Sequence, residues 1–118
     1  MLAVILQSPE PERLYTGLSL LVCAASDGEP ARGLATFGAL TALLAPGEPT
    51  HVIAEEVPAF NATLAALRET AAELPDCRLW ACAAALQAAG ATVAPPLEGV
   101  LSIPAFLRET AGARLVVV

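Results

Sequence analysis

A chain of 118 residues that is 56% hydrophobic and 15% charged is one core-rich globular domain, too apolar to be disordered. Six arginines, no lysine and twelve carboxylates leave a net charge of -6, which repels phosphate backbones and argues against nucleic acid as a partner. No run approaches the roughly twenty apolar residues of a membrane-spanning helix, and Pro9 and Pro11 cut the apolar opening short of a signal-peptide core. The expectation is a cytoplasmic protein with no membrane partner, whose Cys23, Cys77 and Cys82 are thiols rather than a disulfide framework.

In chain order, Leu2 to Leu6 is a continuous apolar run, the pattern of a strand buried on both faces of a parallel sheet. Pro9, Glu10, Pro11 and Glu12 then announce a helix, since proline and carboxylates suit its first turn. Leu14, Leu18, Leu21, Val22 and Ala25 keep helical spacing, and Asp27-Gly28 closes the segment. A second strand is expected at Leu34 to Phe37, then a short helix carrying Leu40, Leu43 and Leu44 and stopped by Pro46-Gly47. His51 to Ala54 reads as a short extended piece.

Pro58 opens the clearest helix, with Phe60, Leu64, Leu67, Ala71 and Leu74 on one stripe and Arg68, Glu69 and Glu73 off it. Cys77 to Cys82 is the next strand, Ala83 to Ala89 a helix closed by Gly90, and Thr92 to Ala94 a further candidate strand. Ser102 caps a helix bearing Ile103, Phe106, Leu107 and Thr110, and Ala113 to Val118 is a final apolar strand. Strand and helix alternate throughout, which predicts a parallel sheet of about five strands covered by helices on both faces, in one domain over 1–118.

Chemistry in such sheets gathers where strands end at the carboxyl edge. After the first strand the turn is Gln7-Ser8-Pro9-Glu10-Pro11-Glu12. Two prolines remove N–H donors and the carboxylates repel an anion, which argues against flavin and nucleotide phosphates there. Neither a G-x-G-x-x-G nor a Walker pattern occurs, and no cofactor is expected. A phosphoryl-receiver domain would need a late lysine, and there is none. Cys82 is the one candidate for chemistry. It stands where a strand hands over to a helix, and free N–H groups there favour a thiolate, the form that attacks sulfur. The competing reading is a small buried hydrophobe.

The segment Cys77-Arg-Leu-Trp-Ala-Cys82-Ala-Ala-Ala-Leu-Gln-Ala-Ala-Gly90 resembles the cysteine segment of DsrE/DsrF-like sulfur-relay proteins. The apolar first strand, the Glu12-Arg-Leu-Tyr15 entry to a helix, and the ending from Glu98-Gly-Val100 to Ala113-Arg-Leu-Val-Val-Val118 follow the same layout. The resemblance implies a three-layer α/β/α domain that forms oligomers and carries sulfane sulfur on Cys82 as a persulfide, for transfer to a thiol-bearing carrier protein. Phe37-Gly-Ala-Leu40 departs from it, where many relatives have aspartate and glycine. The alternative is a non-catalytic oligomeric binding or scaffold module of the same fold.

Other residues read more plainly. Cys77 and Cys82, at the two ends of one strand, would lie some ~16 Å apart, too far for a bridge. Cys23 reads as core, and Cys82 is therefore expected to be alkylated faster than Cys23. His51, the single histidine, reads as a surface loop residue, which excludes a histidine-based metal cluster. Glu55-Glu56 suits the positive end of a helix, Arg78 reads as a solvated charge, and Trp80 as core or an oligomer contact. The high apolar fraction predicts a homo-oligomer.

Overall fold

A computed structural model describes residues 1–118. Five strands, β1 (Leu2–Leu6), β2 (Ala31–Ala35), β3 (Cys77–Cys82), β4 (Gly99–Leu101) and β5 (Arg114–Val117), form one sheet in the order β4-β3-β2-β1-β5. Every neighbouring pair is parallel. The helices are α1 (Pro11–Ser26), α2 (Phe37–Leu44), α3 (Val57–Glu73), α4 (Ala83–Ala89) and α5 (Ile103–Glu109), with one 3-10 turn at Ala54–Glu56. The architecture is a three-layer α/β/α fold, the one that alternating strands and helices require. The chain steps outward from β1 to β4 and then returns to the far side of β1, so the topological switch point lies between β1 and β5.

Register decides which side chains share a face. Leu2, Val4 and Leu6 pair with Ala31, Gly33 and Ala35, which pair in turn with Cys77, Leu79 and Ala81. All nine of these residues are buried. Helix α1 lies on this face: a Cβ at Gly33 would come within 2.5 Å of Leu79 Cδ1 and 3.0 Å of Leu21 Cδ1. Gly17 of α1 likewise has no room for a Cβ over Leu6. Helix α3 packs beside α1, where Tyr15 and Phe60 stack with centroids 5.4 Å apart. Small residues thus let α1 sit close to the sheet. Gly33→Ala is expected to destabilise the domain by about 1–3 kcal/mol, the cost of overpacking a filled core. A urea midpoint equal to that of the parent would show that Leu21 and Leu79 repack freely.

The opposite face is covered less evenly. Leu34 and Cys82 are buried, Trp80 is half-buried against Phe106 of α5, and Ile5 is half-buried. Leu115 and Val117, which pair with Ala3 and Ile5, are 50% and 58% exposed. The sheet is therefore not covered on both faces at its β5 edge.

Several local expectations hold and several shift. Pro11 begins α1, Gly90 takes a left-handed φ of 62° after α4, and Ser102 Oγ accepts the Ala105 N–H at 3.2 Å to cap α5. The second strand is Ala31–Ala35, not Leu34 to Phe37. Arg32 and Gly33 do not read as strand formers, yet β2 is central and its ladder with β1 and β3 overrides propensity. Neither His51–Ala54 nor Thr92–Ala94 is a strand. The fourth strand is Gly99–Leu101, three residues defined by pairing with Trp80, Ala81 and Cys82.

Candidate functional site

At the carboxyl edge, the turns after β1 and β2 meet, the Ala39 N–H donating to the Gln7 carbonyl at 3.2 Å. Thr36, buried just beyond β2, sends both its N–H and its hydroxyl to the Leu6 carbonyl, at 2.9 and 3.1 Å. Gly38 packs so closely on the preceding turn that a Cβ there would lie 2.9 Å from Pro9 Cδ. Between them, Phe37 adopts φ 41° and is 55% exposed. A bulky residue in the left-handed region costs about 1–3 kcal/mol and persists only where its surroundings impose it. Here Thr36 is anchored to the end of β1 and Gly38 to the turn that follows it, and Phe37 takes the strain between them. Sequence reasoning missed this residue. The signal was an aromatic side chain at a strand-to-helix junction just ahead of glycine.

Cys82 ends β3 and is the residue preceding the first turn of α4, with extended φ and ψ. It shares its face with Trp80 and Leu34, pairs with Leu101 of β4 and is only 1% exposed. Nothing ionisable contacts it by hydrogen bond or ion pair. Cys77, at the other end of β3, is also buried, and desolvation pushes its thiol up to about 11, opposed by Arg32 and reinforced by Glu98. Cys23, expected in the core, is exposed. It lies beside the apolar stripe of α1 rather than on it, and α3 leaves that side open. Exposure, open at Cys23 and closed at Cys82, thus runs against the order in which alkylation is expected from sequence.

His51 is exposed as expected, with Nε2 3.6 Å from Glu10 Oε1. Its loop is tied to α1 through Glu12, whose carboxylate accepts the Thr50 N–H at 2.8 Å and the His51 N–H. Desolvation opposes ionisation of Glu12, but these amides prevail and hold the carboxyl below its ordinary range. Glu55 and Glu56 form the turn ahead of α3, in keeping with the helix-end reading. Arg78 is not simply solvated: it meets Glu98 at 2.9 Å and lies 5.8 Å from the Trp80 ring centroid. No group of three His, Cys, Asp or Glu side chains converges on a possible metal position. No helix is long and apolar enough to cross a membrane.

These elements define an α/β/α protein with an all-parallel sheet of order β4-β3-β2-β1-β5. No family model matches the chain, and no curated protein matches it.

Proposed function

We propose that this chain is a subunit of a homo-oligomeric binding or scaffold module, assembled through its β5 edge. One observation carries the reading: Leu115 and Val117 of the edge strand are half exposed or more, on the side of the sheet where α5 also leaves Ile103 and Leu107 exposed. Edge strands that stay single are usually guarded by lysine, proline or an inward charge. The one charge in β5, Arg114, is instead drawn to Glu29, whose carboxylate lies 2.7 Å from Nη2. A second copy offers the same strand, and a two-fold axis would pair the two antiparallel and cover the aliphatic side chains.

Light scattering at micromolar concentration is expected to give twice the 12.0 kDa chain mass. Val117→Glu should return the single-chain mass with unchanged circular dichroism, because it buries a charge only in the assembly. A monomeric parent protein would overturn the reading.

A second reading, favoured by the place of Cys82 at the β3–α4 junction, makes the chain a cytoplasmic persulfide carrier. The Cys82 thiolate would attack the outer sulfur of a persulfide donor, take that sulfur, and release the donor as a thiolate. A thiol-bearing partner would receive it by the same exchange. With the thiol 1% exposed, this reading requires the elements packed over the sulfur to open before either step.

A further inference from the structure

Strand β5 is bonded on one side only. Its Arg114 and Val118 N–H groups donate to the Met1 and Ile5 carbonyls at 3.1 and 2.8 Å, and the Val118 carbonyl accepts the Gln7 N–H at 2.7 Å. Along a parallel strand, successive residues turn their N–H and C=O to opposite sides. Arg114, Val116 and Val118 therefore face β1, whereas Leu115 and Val117 direct both backbone groups away from the sheet, where β5 has no neighbour. The edge thus offers two donor–acceptor residues separated by one that offers nothing.

That spacing is self-complementary in one antiparallel register. Residues of a hydrogen-bonded pair exchange both N–H and C=O, so Leu115 belongs opposite the partner's Val117, and Val117 opposite the partner's Leu115. Both pairs then satisfy all their outward groups, and Val116 meets its own image on the two-fold axis as a non-hydrogen-bonded pair. Centring the axis on Leu115 would set Val117 against Ala113, whose N–H already donates to the Thr110 carbonyl at 3.0 Å. Centring it on Val117 would set Leu115 past the end of β5.

Side chains and charge agree with this register. Opposed residues of an antiparallel pair share a face, so Leu115 and Val117 of both copies form one aliphatic strip, covering side chains that are 50% and 58% exposed in the single chain. Arg114 is the only charge in β5, and the two copies of it fall at opposite ends of the joint, about 13 Å apart along the strands. Resting on the β5 assembly proposed above, we infer that two copies join with Leu115 against Val117 and Val116 on the axis, so that two five-stranded sheets continue as one.

The test is disulfide capture in a Cys23→Ser background, which removes the exposed native thiol. Val116→Cys sets two thiols across the axis with Cα atoms about 4.5 Å apart, within the reach of a disulfide. Leu115→Cys and Val117→Cys meet their own images only diagonally, about 7–8 Å away and beyond that reach. Residues 115 and 117 are the more exposed, so chance collision would favour them, whereas the register favours 116. With oxidised glutathione at micromolar protein, Val116→Cys is expected to yield a covalent pair of twice the 12.0 kDa chain mass. It should do so about tenfold faster or more than either control. In the unmodified chain, hydrogen exchange of the Leu115 and Val117 amides should slow equally, by about tenfold or more, from dilute to concentrated protein. Faster capture through 115 or 117, with both amides protected, would overturn the register and leave the β5 assembly standing. A single-chain mass by light scattering, or a dimer whose Leu115 and Val117 amides exchange freely, would remove the β5 assembly and the register with it.

Discussion

Alkylated in its native state, the protein is expected to take the label on Cys23 and to leave Cys77 and Cys82 unmodified until the domain opens. Cys23 is exposed on α1, whereas the other two sulfurs belong to β3 and lie in the core. Cys77 is protected twice. Burial hides it, and the same burial raises its thiol to about 11, so that near pH 8 only about one molecule in a thousand carries the reactive thiolate. Raising the pH toward 11 increases that fraction but not the access.

Cys82 is protected by what covers it, and its labelling rate then reports how often the β3–α4 junction opens. Peptide mapping by mass spectrometry after timed exposure to iodoacetamide, with and without urea, measures all three rates together. Protection of Cys82 should exceed that of Cys23 by orders of magnitude without urea and vanish with it. Labelling of Cys82 as fast as Cys23 in the folded protein would instead place a reactive thiol at the carboxyl edge and favour persulfide carriage over the scaffold reading. The same maps after treatment with a persulfide donor extend the test. Extra sulfur on Cys82, lost in Cys82→Ala, is what a carrier requires; extra sulfur confined to Cys23 rejects it.

Phe106→Ala should be among the most damaging single substitutions in the chain. Helix α5 has seven residues, too few to persist alone, and Phe106 is its one buried side chain. The ring is fully buried and meets Trp80 edge-on, with centroids 6.3 Å apart and planes at 73°. Removing it forfeits transfer energy, leaves a cavity and breaks the aromatic contact, at about 3–5 kcal/mol. That is a large share of the roughly 5–15 kcal/mol that holds a domain together, and the melting temperature should fall by roughly 10–20 °C.

Trp80 is the only tryptophan, so its emission should shift to the red as water enters where the ring was. Phe106→Leu, which keeps most of the volume, should lose far less. A stable Phe106→Ala with unshifted emission would mean that α5 is held by its Ser102 cap and its two strands rather than by this ring.

The elements that were legible from sequence are those written in local chemistry. The Leu2–Leu6 run, the proline and carboxylate start of α1, the Gly90 stop of α4 and the Ser102 cap of α5 each depend on a few adjacent residues and on backbone geometry. The position of Cys82 at a strand end was legible for the same reason.

What escaped was set by partners far along the chain. Strand β4 has three residues and exists because β3 offers it a ladder, and β2 begins at Ala31 because β1 and β3 flank it there. Cys23 lies outside because no helix covers that side of α1, and Cys82 lies inside because the elements around it close over the sulfur. Periodicity says which side of an element is apolar. Whether a given atom meets water is decided by what packs against that side, and that depends on contacts between segments remote in sequence.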